Sequence, residues 1–405
     1  MSKNVPRELN IPKIFQDLKN HCENQGFKGW DPYDGLNSKI FQATFLKKYK
    51  FTRLAWIQLF KRSPINLRNF LLVNKEYNSK GIGLFLSGYC NLYKITEHGN
   101  TDYGSKEDLL KQINFLSDLL IKLQSKGYSG ACWGYNFDWQ NREFYRPRNT
   151  PTVVATSFCG EALFNAYEIT KNKSHLNCAL SSCDFITNDL NRSVIDDDQF
   201  IFSYSPLDHS KVYNASLLGA KLLSIGYNYT NNKIWYDLSK KATQTIINKQ
   251  ENDGSWIYGE HKVQTWKDNF HTGFNLECIW KVSRNLKENS FIISFNRGLT
   301  YYLDNFFIDK KIPKYYHDKT YPIDIHSPAQ LITTLYQTNQ LKNHKDVAHN
   351  VFKWTIENMK NSNGTFKYQL KYFFSSNISY MRWAQAWMFK SFTEYIKFIE
   401  YEDLD

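Results

Sequence analysis

The chain has 405 residues and a formal net charge of +12, and its length allows a large buried core in one big domain or in two or three ordinary ones. The excess of Lys and Arg favours an acidic partner, either nucleic acid, an anionic membrane surface or an anionic glycan. Because the basic residues form no dense run, the composition argues against nucleic acid.

The hydrophobic pattern predicts helices along the whole chain and gives little sign of strands. Near the N-terminus we predict a short helix over 11–24, an ordered loop over 27–39 and helical structure over 40–62. The other predicted helices cover 81–95, 105–125, 151–169, 174–190, 211–226, 232–249, 269–284, 288–306, 328–338, 344–360 and 380–398.

Three of these helices carry signals at their starts. Thr150 and Ser327 each precede a proline, and this pair predicts an N-cap followed by proline in the first helical position. Asp268 is predicted to cap the free amides of the helix that follows it. His271 and Asn275 are four residues apart in that helix, so they should share one face and form the wall of a pocket.

A loop pattern of aromatic or apolar residue, any residue, then tyrosine recurs before every second helix. The repeats are roughly 50 to 60 residues apart in most cases, which suits a helical hairpin with an elaborated loop. The hexamers at 91–96 and 165–170 are nearly identical, and each ends an every-second helix. When the predicted helix at 81–95 is counted with the five that follow these loops, six hairpins result, enough to close a ring. The loops are Trp133-Gly134-Tyr135, Phe202-Ser203-Tyr204, Trp256-Ile257-Tyr258, Pro313-Lys314-Tyr315 and Phe366-Lys367-Tyr368.

With six hairpins the sequence resembles the (α/α)6 toroids, in which six inner and six outer helices surround a cleft at the inner-helix N-termini. The tetrapeptide DGSW at 253–256 is also similar to the repeat loops of terpenoid-cyclase toroids. A closer resemblance is to a toroid family found with capsule and exopolysaccharide genes, often labelled delta-aminolevulinic acid dehydratase. It rests on CWGYNFDWQ (132–140), TPTVVATSFCGEAL (150–163), DNFHTGFNL (268–276), DIHSPAQ (324–330) and YMRWAQAWM (380–388).

This resemblance spans nearly the whole chain and implies one all-α toroid domain over 1–405, with 1–80 supplying the N-terminal helices and loop that complete the ring. The dehydratase label does not suit the residues, because a porphobilinogen-forming synthase is an α/β barrel with a pair of active-site lysines. A related toroid is the catalytic part of glucuronyl C5-epimerases, which act on uronic acids within polymers. That relation is one of fold and pathway.

In such a ring, the loops and first turns of the inner helices converge on one cleft and bring acid–base groups, anion binders and aromatic platforms together. The candidate catalytic residues are His271, Tyr204, Tyr258, Arg382 and His326. The candidate substrate-binding residues are Trp133, Tyr135, Asp138, Trp139, Arg142, Asp208, Tyr213, Asn214, Trp256, Glu260, Asp268, Asn269, Asn275, Asp324, Tyr380 and Trp383.

Several candidates have a structural explanation beside the functional one. His271 and His326 occupy corresponding places in successive units, and catalysis and a structural role fit them equally. Arg382 suits a substrate carboxylate, bound through two parallel hydrogen bonds, and equally a salt bridge to a loop aspartate. Helix capping or loop hydrogen bonding is a better explanation than catalysis for the presence of Asp138, Asp208 and Asp268.

Other patterns limit the chemistry and the cellular location. Seven cysteines without a CxxC pair indicate reduced thiols in a cytoplasmic protein. There is no signal-peptide h-region and no window of the roughly 18 apolar residues that a membrane span needs. Because HExxH, CxxC and glycine-rich phosphate loops are missing as well, the sequence predicts no metal site and no cofactor. It leaves the oligomeric state open.

Three functions remain after this reading. The leading hypothesis is an enzyme of cell-surface polysaccharide synthesis that modifies or epimerises an anionic, uronic-acid type saccharide. In that mechanism Arg382 would pair with the carboxylate, while Tyr204, Tyr258 and His271 would remove and return the C5 proton. The second hypothesis is a glycoside hydrolase that uses two of Asp138, Asp208, Glu260 and Asp268. The third is a toroid that binds glycan or serves as a scaffold without catalysing a reaction.

Overall fold

The computed structural model describes residues 10–140, 145–196 and 198–402. The N-terminal part contains three α-helices, α1 (Ile11–Asn24), α2 (Lys39–Ala43) and α3 (Lys50–Arg62), and two short 3₁₀ turns over Asp34–Asn37 and Phe45–Lys48. The helical structure predicted over 40–62 is confirmed, but it is divided into three pieces. Extended backbone at Thr44 and Tyr49 interrupts the helical hydrogen bonding and separates the pieces.

Six helices form a closed inner ring, in which each packs on the next and the last returns to the first. Their buried residues lie on all sides, as expected for helices enclosed by protein. The inner helices are α4 (Ser79–Thr96), α6 (Val153–Thr170), α8 (Tyr213–Thr230), α10 (Asn269–Leu286), α12 (His326–Gln337) and α14 (Trp387–Glu402).

An outer layer completes six helical hairpins. Five outer helices each pack on the inner helix before them in the chain, and α1 packs on α14. The five are α5 (Lys106–Lys122), α7 (Lys173–Asn188), α9 (Lys233–Asn248), α11 (Phe291–Asn305) and α13 (Lys345–Met359). The predicted all-α (α/α)6 toroid is confirmed, and no described helix is long and apolar enough to cross a bilayer.

Small residues allow the inner helices to approach one another closely. A Cβ on Gly83 of α4 would lie 3.1 Å from the carbonyl oxygen of Phe158 in α6. A Cβ on Gly273 of α10 would lie 2.6 Å from Cγ of Gln330 in α12. Larger side chains at these two positions would therefore push neighbouring inner helices apart.

Short antiparallel strands stiffen the loops that connect the helices. They pair as β1 with β2, β3 with β4, β5 with β6, and as the three-stranded order β7-β8-β9. The strands are β1 (Trp139–Gln140), β2 (Tyr145–Arg146), β3 (Arg192–Asp196), β4 (Gln199–Phe202), β5 (Phe307–Ile308), β6 (Ile312–Pro313), β7 (Ile323–Asp324), β8 (Gln369–Leu370) and β9 (Ser375–Ser376).

Helix starts differ in part from the sequence prediction. Asp268 caps α10 as predicted, since its carboxylate accepts the backbone N–H of His271 at 3.0 Å. The predicted cap at Thr150 is wrong, because Thr152 caps α6 by accepting the backbone N–H of Ala155 at 3.1 Å. The predicted cap at Ser327 is also wrong. Helix α12 begins at His326, one residue before the predicted cap, so Ser327 lies in its first turn.

Candidate active site

A cavity of about 570 Å³ opens at the N-terminal ends of the inner helices. Five of the six inner helical segments place their second residue on the cavity wall. The sixth, α12, places its first residue, His326, there. The lining residues are Tyr33, Gln58, Lys61, Lys80, Tyr135, Phe137, Trp139, Val154, Tyr204, Asn214, Tyr258, Val263, Gln264, Trp266, Phe270, His271, Phe274, Tyr315, Tyr316, His326, Arg382 and Trp383.

The polar part of this wall is cationic. Lys61, Lys80 and Arg382 line the cavity, whereas no Asp or Glu of the described residues does so. The inner helices add to this charge, because the free N–H groups of a helix N-terminus carry a partial positive charge. The cavity is therefore built to receive an anion, and its Tyr, Trp and Phe side chains supply flat apolar surfaces around that anion.

Arg382 is held in place by a buried aspartate from the N-terminal loop. Its Nε and Nη2 donate to Oδ2 and Oδ1 of Asp31 at 2.6 and 2.8 Å. Although burial alone would lower the pKa of Arg382, the Asp31 carboxylate raises it above its ordinary value. The guanidinium also lies 5.1 Å from the ring centre of Tyr135. It is thus a fixed cation on the cavity wall.

The segment that carries Arg382 has unusual backbone hydrogen bonding. Residues Met381–Ala386 form a π-helical turn that leads into α14, and the N–H of Gln385 donates to the carbonyl of Tyr380 at 3.2 Å. Such turns widen a helix locally and occur often at functional sites. Here the turn brings both Arg382 and Trp383 to the cavity.

His271 forms a dyad with the residue that caps its own helix. Its Nδ1 lies 2.7 Å from Oδ2 of Asp268, and the same oxygen accepts the indole N–H of Trp266 at 2.8 Å. Because a carboxylate only accepts hydrogen bonds, Nδ1 carries the proton. When the ring is neutral its lone pair is on Nε2, in a side chain that lines the cavity and is one-fifth exposed. This arrangement suits a general base.

His326 has a different environment on the neighbouring helix. Its ring is stacked on Phe270 with centroids 4.3 Å apart and packs against Trp387 at 4.2 Å. Neither ring nitrogen has a hydrogen-bond partner among the described residues. Burial, followed by the charges of Lys80, His271 and Arg382, lowers the pKa of His326 well below its ordinary value. The imidazole is therefore neutral.

Lys80 lies at the cavity wall in an aromatic box. Its Nζ is 4.2, 5.3 and 5.2 Å from the ring centres of Phe158, Phe274 and Trp387. No carboxylate in the described ranges forms an ion pair with it. Burial lowers the pKa of Lys80 well below its ordinary value, and Arg382 acts in the same direction. An anionic ligand would provide the counter-charge that this amine lacks.

Tyrosines form much of the remaining wall. The hydroxyls of Tyr135 and Tyr204 are 3.5 Å apart, and Tyr258 is stacked on Trp266 with ring centres separated by 4.7 Å. Burial raises the pKa of all three tyrosines, so each is a neutral hydroxyl that can donate a proton or a hydrogen bond. Asn214 is also nine-tenths or more buried, and its Oδ1 has no partner among the described residues.

Nine of the predicted site residues meet at this cavity. All five candidate catalytic residues are among them, but the structure leaves their catalytic roles as predictions. The nine are Tyr135, Trp139, Tyr204, Asn214, Tyr258, His271, His326, Arg382 and Trp383.

The prediction that Trp133 and Trp256 face the cleft is wrong. Both are buried in the core, and their indole N–H groups donate to the carbonyls of Leu120 and Ile246 at 2.8 and 2.9 Å. These carbonyls lie in the last turns of α5 and α9, where helical carbonyls have no partner within the helix. The tryptophan of each loop therefore stabilises the end of the preceding outer helix.

Five further predicted substrate contacts lie away from the cavity lining. Asn269 accepts the hydroxyl of Tyr302, Tyr380 accepts from Arg68, and Asn275 is buried within α10. These three residues therefore lie outside the cavity lining, and their part in substrate binding stays a prediction. Asp324, which accepts from Trp383 at 2.9 Å and from Gln369, supports a cavity residue from behind. Asp268 likewise supports His271.

The four other acidic and aromatic candidates lie outside the cavity lining. Asp208 pairs with Arg146 at 2.7 Å, Glu260 pairs with Lys211 and Lys249, Tyr213 donates to Glu260, and Asp138 accepts the backbone N–H of Arg148. These local partners explain why the placement of all four at the cleft is wrong. Arg142 lies outside the described residues.

Some residues that line the cavity were not predicted from the sequence. Lys80 is a lone lysine within the apolar run KGIGLFL, and that isolation was the available signal. Gln58 and Lys61 come from α3, so their arrival at the cavity depends on how the N-terminal segment folds over the ring. No group of three or more His, Cys, Asp or Glu within the described ranges could hold a metal ion.

No protein-family model matches the chain, and no curated protein has a significantly similar sequence. Solved structures share the fold. An unsaturated glucuronyl hydrolase specific for heparin has a TM-score of 0.61 at 12% identity and covers 96% of this chain and 97% of its own. Cellobiose 2-epimerase from Bacillus thermoamylovorans has a TM-score of 0.62 at 12% identity, with 96% and 99% covered. A polysaccharide lyase has a TM-score of 0.57 at 9% identity, with 96% and 97% covered.

Proposed function

We propose that this protein is an enzyme that binds a uronate-bearing saccharide in the cavity and moves a proton at the carbon next to the carboxylate. The observation that carries the proposal is a cavity with Lys61, Lys80, Arg382 and His271 on its wall and no described Asp or Glu side chain among its lining, while Asp268 bonds to His271 from behind. Similar folds include a glucuronyl hydrolase, a sugar epimerase and a polysaccharide lyase, which supports a saccharide substrate.

Substrate binding begins with the carboxylate. Arg382 has two of its nitrogens on Asp31, while its Nη1 has no partner among the described residues and remains for a ligand. Lys80 supplies a second cation in a dry aromatic setting, where electrostatic attraction is stronger than in water. Neutralising the carboxylate makes the adjacent C–H more acidic, because the negative charge of the carbanion is then stabilised.

Proton transfer follows from the remaining groups. His271 Nε2 removes the C5 proton, and Asp268 stabilises the resulting imidazolium through Nδ1. A neutral hydroxyl, from Tyr204 or Tyr258, returns a proton to the opposite face in an epimerisation. If the same hydroxyl protonates the oxygen that leaves C4, the reaction becomes an elimination. Both reactions share the first step.

Hydrolysis by two carboxylates receives less support. That mechanism needs one acid as proton donor and a second as nucleophile or base, both at the glycosidic bond. Asp208 and Glu260 are engaged in ion pairs, Asp138 in a loop hydrogen bond, and Asp268 lies behind His271. None of these four lines the cavity.

The cellular setting is part of the proposal. The resemblance of five segments to toroid proteins found with capsule and exopolysaccharide genes supports a role in the cytoplasmic synthesis of a cell-surface polysaccharide. The cationic cavity agrees with such a role, because many surface polysaccharides carry uronate groups whose charge it would match.

The test is solvent exchange at C5. The purified protein is incubated in deuterated water with oligosaccharides containing glucuronate, galacturonate or mannuronate, and deuterium incorporation is followed by mass spectrometry and NMR. We expect incorporation with at least one of them and none with its carboxyl-reduced form. His271→Ala should lower the rate by roughly 10²- to 10⁴-fold, the usual contribution of a general base.

His209→Ala is the matched control, because His209 is an exposed histidine outside the cavity and its loss should leave exchange unchanged. An epimerised product or an unsaturated uronate separates epimerase from lyase. New reducing ends without exchange would contradict the proposal in favour of hydrolysis. Tight binding of a uronate with no turnover would favour the glycan-binding role instead.

A further inference from the structure

The net charge of the chain is concentrated in one N-terminal segment. Residues 35–75 contain nine Lys and Arg and no Asp or Glu, so this segment carries +9 of the total +12. The other 364 residues together carry only +3. Much of the basic charge is exposed to solvent. The exposed side chains are those of Lys39, Lys47, Lys48, Lys50 and Arg62.

The same segment exposes many large apolar side chains. Single exposed apolar residues are ordinary on protein surfaces, but a cluster marks an interaction site. Phe51 and Phe70 are 79% and 77% exposed, and Phe45 is 70% exposed. Eight such side chains of the described residues lie here, namely Ile40, Phe45, Tyr49, Phe51, Leu59, Ile65, Phe70 and Leu72.

A hairpin from the other end of the chain adds to this surface. The turn between β8 and β9 exposes three consecutive aromatic residues at 372–374, and Phe373 is 90% exposed. Lys371 at the base of the turn donates to the carbonyl of Arg62, at the end of α3, over 3.5 Å. We call the surface made by residues 39–72 and 371–374 the basic aromatic face.

This face adjoins the opening of the cavity. Gln58 and Lys61 of α3 line the cavity, while Phe51 and Leu59 of the same helix are exposed. Gln58 is itself exposed, so α3 forms part of the cavity rim. Whatever covers the basic aromatic face therefore lies beside the entrance to the cavity.

We infer that the basic aromatic face docks on the surface of an anionic lipid membrane. Lys and Arg attract anionic headgroups, and Phe, Leu and Ile that project into solvent insert at the boundary between headgroups and acyl chains. The apolar side chains are interleaved with the charges, as in the run Lys47-Lys48-Tyr49-Lys50-Phe51. This combination of charge and apolar side chains matches the chemistry of an anionic bilayer surface.

Other occupants fit the face less well. A second copy of the chain would place +9 against +9 and be repelled. An anionic glycan would match the charge, but Ile, Leu and Phe offer it no hydrogen bonds. A membrane uses both the charge and the apolar groups.

Docking has a consequence for the substrate, and this consequence rests on the proposed function. A cavity whose rim lies on the membrane meets saccharides that are attached to lipids before it meets saccharides free in solution. The substrate class would then be a membrane-anchored, uronate-bearing saccharide. Docking itself does not depend on turnover.

The test is co-sedimentation of the full chain with vesicles. We expect binding to vesicles of phosphatidylcholine containing phosphatidylglycerol, little binding to phosphatidylcholine alone, and weaker binding as salt is raised. The triple variants Lys47→Glu/Lys48→Glu/Lys50→Glu and Phe45→Ser/Phe51→Ser/Phe373→Ser should each lower partitioning at least roughly tenfold. All six side chains are exposed, so the fold should persist, and thermal unfolding checks it.

Matched controls come from other exposed positions. Lys310→Glu/Lys311→Glu/Lys342→Glu makes the same change in net charge, and Leu207→Ser/Ile234→Ser/Ile293→Ser removes exposed apolar groups elsewhere. Both control triples should bind vesicles nearly as the wild type does. Equal losses in the control and face variants would overturn the proposal, because they would show a general charge effect.

Other outcomes would replace the membrane by a different partner. Binding to soluble heparin but not to anionic vesicles would assign the face to a glycan, and dimerisation lost in the phenylalanine triple would assign it to a second copy. The face variants should still turn over soluble oligosaccharides, and His271→Ala should still bind vesicles. A failure of docking and a failure of the proposed chemistry are thereby distinguishable.

Discussion

Two lysines near the same phenylalanine have opposite surroundings. The Nζ of Lys80 is 4.2 Å from the ring centre of Phe158, and the Nζ of Lys221 is 5.7 Å from it. Lys221 pairs with Glu161 at 2.6 Å and with Glu277 at 2.7 Å, whereas Lys80 has no ion-pair partner among the described residues. Both amines are buried, so the difference lies in their partners.

Their pKa values differ accordingly. Burial acts to lower the pKa of Lys221, but Glu161 and Glu277 together raise it well above its ordinary value. For Lys80, burial and Arg382 lower the pKa well below that value. Lys80 is the second residue of α4, while Lys221 is the ninth of α8, about 12 Å along the helix from its start. The ring neutralises Lys221 in its deep layer and leaves the amine of Lys80 at the cavity for a ligand.

The largest predicted effect comes from the same substitution at both lysines. Lys221→Met leaves the buried carboxylate of Glu277 and the half-buried carboxylate of Glu161 without their cation and should lower the free energy of unfolding by about 3–5 kcal/mol. Lys80→Met removes an unpaired buried cation and should leave that free energy unchanged or raise it. Urea unfolding measures both. A Lys80→Met variant destabilised as strongly as Lys221→Met would remove the distinction between the two layers.

The ring was predictable because it repeats. Hydrophobic spacing and the recurring tyrosine loops indicate every inner helix, and proximity along the chain determines each hairpin. The break-up of 40–62 was not predictable from periodicity, because the extended backbone at Thr44 and Tyr49 interrupts an otherwise helical pattern. Local signals therefore identified the elements more reliably than their boundaries.

The site was predictable only in part, because its contacts join distant parts of the chain. Trp133 and Tyr135 share one loop motif, yet the indole caps an outer helix and the phenol faces the cavity. The sequence contains nothing that separates these two directions. The partner of Arg382 is Asp31, 351 residues away, and only the closed ring brings them together. Non-local pairing of this kind is outside the reach of motif reasoning.

A smaller effect is expected at the dyad of His271 and Asp268, which lies at the cavity and not in the deep layer. Asp268→Asn keeps an N-cap of similar quality, so the free energy of unfolding should change by less than about 1 kcal/mol. The neutral amide no longer stabilises an imidazolium at His271, and the C5 exchange rate should fall roughly 10²-fold with substrate affinity little changed. Asp237→Asn, a change at an exposed position of α9, is the control.

That experiment separates two roles of one carboxylate. A loss of stability matched by a proportional loss of activity would reduce Asp268 to a helix cap. A lower exchange rate in a fully folded variant, with the pH profile displaced, would make it the residue that positions the base. The second result is the one the 2.7 Å contact with Nδ1 leads us to expect.

The smallest effect is a proton taken up when an anion binds. In the free protein burial, followed by the charge of Arg382, lowers the pKa of Lys80 well below its ordinary value. A bound carboxylate favours the ammonium and raises that pKa, so binding takes up about one proton at most at any pH between the two values. Affinity should therefore fall as pH rises above the pKa of the free protein. Calorimetry of uronate binding in two buffers with different ionisation enthalpies measures the uptake.

Lys80 is not the only titratable group at the wall, so variants must assign the proton. His326 also has a lowered pKa, and both His271 and Arg382 line the same cavity. Uptake that vanishes in Lys80→Met and persists in His326→Phe identifies the amine as the acceptor. Uptake that persists in Lys80→Met, or proton release in the wild type, would mean that the carboxylate binds elsewhere on the wall. The unpaired lysine would then have no part in recognising the anion.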